Sequence, residues 1–455
     1  MSKGKLKFIS SDCGSGKTKA MVELINSDKV KTIVTQNTIK LMEQTHQYIK
    51  DSILICSTNV GSDECVMDRV VEFLKSPTHK VLIISDKSFS NISVSLLQSW
   101  RIFVDDVTTF SDFKNINEID PDMKKIVQNK VFSSVEVFGD DANFITAQKT
   151  NNKGDLLVNL TKSFSIVESN DKFFMNSSWF LEAEKIQLGI TAFRDMSKYL
   201  GFDITFMANN FEKSTVYLAH PELFEKIKLE GLSTRVIPVK ERLKVFYFTK
   251  RILSKTWKDA NPNELKKVYD HLSHELPEKY YWTNNNSDTL SLSGTKISPD
   301  ARGINSLQSY DTCVWLACMR PNPVDVIHSK YAFGIDGEQL VVAREHENIY
   351  QFVNRGVVRD YDSSEIQTVY VFSEEQALSL VDKPEYIDLG LDNNEPKKVG
   401  APVKLVTVPN SVNANISRYK KENPTLEQFR AWVLKKKWDD EVKELVIENF
   451  MKKVK

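Results

Sequence analysis

The run Ser11-Asp12-Cys13-Gly14-Ser15-Gly16-Lys17-Thr18 limits the possible folds of this chain more than any other segment. It follows the apolar stretch Lys5–Ser10 and leads into Lys17–Ile25, where apolar residues recur at helical spacing. Glycines there let backbone N–H groups turn inward around an anion, and the start of the next helix adds its positive dipole end. A strand that ends in such a loop and passes directly into a helix belongs to a parallel α/β sheet, whose ligands gather at the carboxyl ends of the strands. Gly14, Ser15 and Gly16 supply the phosphate cradle, Lys17 reaches the outer phosphates, and Thr18 presents its hydroxyl to Mg²⁺. Ser11 stands where the usual pattern begins with glycine.

The rest of the first half continues the alternation. Lys31–Thr35, Ser52–Cys56, Val81–Ser85 and Arg101–Val104 read as strands, with a helix over Ile39–Ile49. Continuous apolar strands separated by helices predict a parallel sheet covered on both faces. The polar, Asn- and Ser-rich stretch from Phe110 to Glu184 reads as an insertion, after which regular signals return at Ile186–Ala192 and Thr215–Ala219. A second alternating region runs through Lys244–Thr249, Tyr280–Thr283, Thr312–Ala317 and Thr368–Phe372, and Leu389–Pro402 reads as a linker. The expected organisation is therefore two α/β domains, 1–240 (with an insertion at about 110–185) and 241–400, followed by a helical hairpin at 411–455.

In that hairpin Thr425 and Gln428 form a capping box ahead of the stripe Leu426, Phe429, Val433, and Asp439 is placed to cap a second helix. From Ser411 onward there are 11 Lys or Arg against 7 Asp or Glu, which suits either a solvated face or a strand-contacting module. Over the whole chain Lys plus Arg (61) equals Asp plus Glu (61), so a nucleic-acid partner has to be held by local patches and not by net field. No apolar run approaches the ~20 residues that span a bilayer, and no secretory leader is legible, so no membrane partner and a cytoplasmic location are expected. Five scattered cysteines argue against a disulfide framework or a cysteine-built zinc site.

Ile102–Asp106 is an apolar strand ending in two carboxylates. At the carboxyl end of a parallel strand, Asp105 can hold the metal's water shell and Asp106 can polarise an attacking water. Gln187–Phe193 is a second apolar run ending in Thr191-Ala192-Phe193, either a phosphate-sensing strand or an ordinary core strand. Later come Arg302-Gly303-Ile304-Asn305 and a helix-like stretch in which Gln351, Arg355 and Arg359 share one face at i, i+4 and i+8. Such a stripe either converges on a phosphate group or pairs with acidic neighbours on a surface helix.

The order of these pieces resembles superfamily 2 helicases over roughly residues 5–375. Ser11–Thr18 looks like motif I, Thr32–Gln44 like motif Ia and Asp105–Thr108 like motif II. Thr191–Phe193 looks like motif III, Arg302–Asn305 like motif V and Gln351–Arg359 like motif VI. The resemblance implies two tandem RecA-like P-loop NTPase domains, ATP and Mg²⁺ as cofactors, and an arginine finger in Arg355 or Arg359. It implies strand contacts from Gln36, Asn37, Thr38, Arg302 and Asn305. The partner it suggests is DNA more than RNA, as a single strand or fork, with replication proteins as further partners; the Asn- and Lys-rich character is similar to phage or viral replication helicases. The sequence departs from the family where Asp106 replaces the usual Glu, where Arg359 follows Arg355 by four residues in place of three, and in the long stretch between motifs II and III. Packaging, nuclease-linked and remodelling ATPases share these motifs, but no second acidic cluster for two-metal cleavage follows Gly303.

Overall fold

The computed structural model describes residues 4–61, 64–106, 110–116, 132–137, 144–149, 172–181, 188–392 and 425–438, with isolated positions elsewhere. Residues 393–455 form a compact unit of their own, apart from residues 1–392.

In the larger unit, β1 (Leu6–Ser10), β2 (Thr32–Gln36), β3 (Ser52–Leu54), β4 (Val81–Ser85) and β5 (Arg101–Asp105) lie within a residue or two of the expected strands. Next in the chain come β6 (Ser111–Ile116), β7 (Phe132–Val137), β8 (Phe144–Lys149), β9 (Lys172–Asn176) and β10 (Leu188–Phe193). They form a separate antiparallel sheet in the order β6-β10-β9-β8-β7. The chain then returns through β11 (Asp203–Ala208) and β12 (Phe224–Lys226) to complete the first parallel sheet, ordered β12-β1-β11-β5-β2-β4-β3. A second parallel sheet follows from β13 (Leu243–Thr249), β14 (Tyr281–Thr283), β15 (Thr295–Lys296), β16 (Thr312–Trp315), β17 (Gln367–Ser373) and β18 (Glu385–Tyr386), ordered β15-β14-β16-β17-β13-β18. Two parallel sheets flanked by helices, in tandem, are the α/β architecture of two RecA-like domains.

The apolar runs are continuous because both faces of each parallel sheet are covered. In the first sheet Phe8, Ile33, Ile102, Val104, Ile204 and Phe206 feed one core, while Ile9, Val34, Phe103 and Met207 point the other way against Met21, Ile25 and Met42 of the neighbouring helices. The second sheet repeats this, with Tyr247, Trp315 and Val371 on one face and Phe248, Val314 and Phe372 on the other. Burying a side chain of this size contributes about 1.5–3 kcal/mol.

Two expectations change here. Thr191-Ala192-Phe193 ends β10, a strand of the antiparallel sheet, so it does not stand beside the acidic pair. The strand between β1 and β5 is β11, which ends at Ala208. Second, the stretch carrying Gln351, Arg355 and Arg359 is not one helix. The helix Glu347–Val353 stops, Gly356 is extended, and Val357–Arg359 makes a short 3-10 turn. Thr215–Ala219 is a helical turn.

In the smaller unit Thr425 and Gln428 cap the helix Leu426–Leu434 reciprocally. Phe429 and Val433 are buried with Ile416 and Val446, and Tyr419 stacks on Trp432 at 4.4 Å. The expected cap Asp439 lies outside the described residues.

Candidate nucleotide site

The register of the first sheet sets the site. Ser10 lies opposite Ala208, Met207 opposite Asp105, and Asp105 opposite Gln36, so four parallel strands end side by side. The loops that follow them carry Ser11–Thr18, Asn209, Asp106 and Asn37 to one edge.

Gly14 (φ 82°) and Gly16 (φ 91°) adopt the left-handed backbone that an L side chain resists, which turns the loop and opens the helix Lys17–Ser27 at its tip. Lys17 Nζ donates to the carbonyls of Ser11 (2.6 Å) and Asp12 (2.9 Å), which keeps the ammonium over the cradle. Thr18 Oγ1 donates to Asp105 Oδ2 at 2.9 Å, and Gln36 Nε2 reaches the same oxygen at 2.9 Å. Burial raises the Asp105 pKa, against the donors from Gln36 and Thr18. A hydroxyl and a carboxylate this close, at the foot of a phosphate loop, form an oxygen set that fits a small divalent cation such as Mg²⁺.

The second parallel sheet and its helices supply the opposite wall. A cavity of about 660 Å³ is lined by Gly14, Gly16, Lys17, Thr18, Asp105 and Asp106 on one side and by Arg302, Asn305, Gln351, Arg355 and Arg359 on the other. The helix break after Val353 re-aims the two later arginines, so all three donors of the interrupted stripe still face the cavity. Arg355 is 6 % exposed; Nη2 donates to Gln351 Oε1 (3.2 Å), Nη1 to the Ile304 carbonyl (3.3 Å), and Nε has no hydrogen-bond partner among the described residues. Burial lowers the pKa of Arg355 and brings that of Arg359 to about 10. Guanidinium groups held this way favour an incoming anion.

Contacts across the cleft close on the loop itself. Tyr361 Oη donates to the Cys13 carbonyl at 2.9 Å, and Tyr350 Oη to Asp12 Oδ1 at 2.7 Å. Arg235 pairs with Asp12, donates to the carbonyls of Cys13 (3.0 Å) and Val358 and to Asn354 Oδ1 (2.8 Å), and lies 4.0 Å from the Tyr361 ring centroid. Asn209 Nδ2 stands 3.0 Å from both carboxylate oxygens of Glu347. Tyr361, Tyr350, Arg235, Asn209 and Glu347 lie outside the stretches that carry the motifs; only their partners Asp12, Cys13, Asn354 and Val358 lie within them.

The residues expected to touch a strand are placed differently from one another. Gln36 is fully buried against Asp105 and Thr45, so it cannot contact a strand; its polar head is committed inside the lobe. Asn37 Nδ2 donates to the Asp106 carbonyl (2.8 Å), and Thr38 caps the helix Ile39–Tyr48. Arg302 Nε lies 2.6 Å from Asp106 Oδ2, inside the cleft. Burial works to lower the pKa of Arg302, but Asp106 and Asp300 outweigh it and raise it. Asn305 is exposed. Gly303 (φ 75°) packs against Thr38 and Leu41, where the two lobes meet. Among the described residues, no helix is long and apolar enough to cross a membrane.

No family model matches the sequence, and no curated protein does. Solved structures similar to this chain include an apo XPD structure (12 % identity, TM-score 0.49, covering 85 % of this chain and 97 % of that one). S. tokodaii Xpd4 is similar at 10 % identity and TM-score 0.45, covering 84 % and 96 %. S. cerevisiae Dbp5 bound to RNA and ADP BeF3 is similar at 9 % identity and TM-score 0.39, covering 84 % and 85 %.

Proposed function

We propose that this protein is an ATP-dependent nucleic-acid helicase or translocase of superfamily 2, which couples ATP hydrolysis to movement along DNA or to its unwinding. One observation carries the reading: Lys17 of the phosphate loop and Arg355 and Arg359 of the other lobe line the same cavity. Gly14, Ser15, Gly16 and Lys17 bind the triphosphate, and Arg355, with an uncommitted N–H, stabilises the charge that develops as the outer phosphate departs. Thr18 and Asp105 would hold Mg²⁺, which would supply positive charge to offset that of the phosphates. Asp106, aimed by Arg302, orients the attacking water. The cavity is complete only with both lobes in contact, so binding favours closure and product release favours opening. Thr38 and Asn305, on the two sides of the junction at Gly303, contact the strand through its sugar-phosphate backbone, which suits a sequence-independent motor.

The test is ATP turnover by the full chain with single-stranded DNA, duplex DNA and RNA in turn, followed by strand displacement on a forked duplex. Turnover raised most by single-stranded DNA, with ATP-dependent displacement, is expected. Stimulated turnover without displacement would leave a remodelling ATPase, and absence of turnover under all conditions would overturn the proposal.

A further inference from the structure

The cleft holds a polar chain that extends past the Gln351–Arg359 stretch to two residues outside the motifs, Glu347 and Asn209. Asn209 follows β11, between the strand that bears the phosphate loop and the strand that bears Asp105, and is 8 % exposed. Its Nδ2 stands 3.0 Å from both oxygens of Glu347, which lies on the other lobe. Asn210 Nδ2 adds a contact at 3.3 Å. One turn on from Glu347, Gln351 donates Nε2 to Glu347 Oε1 at 2.9 Å and accepts Arg355 Nη2 on its own Oε1 at 3.2 Å. We infer that Asn209 and Glu347 are positioning residues for Arg355, forming a hydrogen-bonded relay that aims the guanidinium only while the lobes are together; this rests on the hydrolytic reading above.

The residue types fit that role. Three amides present N–H groups to position 347, so the residue there has to be an acceptor at both oxygens, which a carboxylate is and a carboxamide is not. The carboxylate fixes which end of the Gln351 amide faces it, and that fixes the acceptor offered to Arg355. Burial raises the pKa of Glu347, so its ionised form depends on the donors from Asn209 and Gln351. Two of the three amides sit across the cleft, so separating the lobes removes them and frees the Gln351 amide to turn. In the open state Arg355 keeps its donation to the Ile304 carbonyl but loses the second fixed contact that sets the direction of its guanidinium, and hydrolysis waits for closure.

The experiment measures kcat and KM for ATP at saturating single-stranded DNA, with fluorescent ADP affinity as the binding readout. The set is N209A, E347A, E347Q, R355A, the pair E347A with R355A, and the swap E347Q with N209D. A misaimed catalytic group costs up to about 100-fold in rate, so N209A and E347A are expected to lower kcat about tenfold or more, with KM and ADP affinity within about threefold. E347A should add nothing in the R355A background, because the two losses are one loss. The swap puts the acceptor on residue 209 and the donor on residue 347, and should regain activity over E347Q alone. Full kcat in E347A, multiplying losses in the pair, or a swap no better than E347Q would each overturn the inference. If E347A does not fold, N209A and the swap decide. Inactive K17A and R355A beside a fully active E347A would sink the relay alone, whereas an active K17A would sink the hydrolytic reading itself.

Discussion

Tyr361 donates its hydroxyl to the backbone carbonyl of Cys13 at 2.9 Å, so a side chain of the second lobe closes on the phosphate loop of the first. The ring fills the space at Gly14, where an added Cβ would meet it at 3.2 Å on a backbone with φ of 82°. The loop's shape and the closed cleft therefore depend on each other.

Arg235 is the main tie between them. Its side chain is 7 % exposed, and the guanidinium reaches both the phosphate loop (Asp12, the Cys13 carbonyl) and the turn that carries Arg355 and Arg359 (Asn354, the Val358 carbonyl). Its removal leaves the carbonyls of Cys13 and Val358 without this donor, while Asp12, 30 % exposed, keeps the Tyr350 hydroxyl, so R235A should cost about 1–3 kcal/mol and raise KM for ATP. Urea unfolding with steady-state kinetics checks this; an unchanged midpoint and KM would contradict it.

Arg302 pairs with Asp106 at 2.6 Å, with its side chain 10 % exposed. R302A should therefore lower kcat for ATP by about tenfold or more, because Asp106 loses the group that orients it. Single-stranded DNA affinity in the absence of nucleotide is the control. A variant that hydrolyses ATP normally and only binds DNA more weakly would return Arg302 to the strand-contacting role expected from sequence.

Gln36 gives Asp105 one of its two side-chain hydrogen bonds. Q36A should raise the Mg²⁺ concentration for half-maximal hydrolysis severalfold, since partners that orient a ligating carboxylate are worth about 10–100-fold in metal affinity. Magnesium titration of turnover measures this. A change confined to DNA affinity would show that the buried amide does not serve the metal site.

His328 is fully buried where β10 meets the helix Pro323–Phe333, 2.8 Å from Thr191 Oγ1, and burial lowers its pKa from 6.5 to about 4. The unfolded chain takes up a proton below pH 6.5 that the folded chain refuses until about pH 4. The stabilisation is therefore complete above pH 6.5 and is lost as pH falls through that window. The loss at pH 5 is about 2 kcal/mol. Urea unfolding at pH 7 and pH 5 should show this slope in the parent and a smaller one in H328Q; equal slopes would contradict it.

The strands of the first sheet were legible because burial on both faces writes itself as unbroken apolar runs, as in Val81–Ser85. β11 was not, because Asp203 and Thr205 interrupt its run, while the wholly buried Leu188–Phe193 offers a stronger signal one insertion too early. The phosphate loop could be read because its chemistry is local to eight residues. The interruption after Val353 could have been suspected from Gly356, where a Cβ would meet the Tyr310 carbonyl at 2.5 Å. Partners such as Asp12 and Tyr350, 338 residues apart, or Asn209 and Glu347, 138 apart, leave no spacing pattern; only the fold brings them together.

The most direct test of the two-lobed site is ATP turnover by R355A beside its affinity for fluorescent ADP. A decrease in kcat of about 100-fold or more, with ADP affinity within about threefold of the parent, is predicted from the loss of transition-state charge stabilisation. Unchanged turnover in R355A, and again in R359A, would mean that neither of these arginines of the second lobe acts on the nucleotide held by Lys17, which would contradict the account.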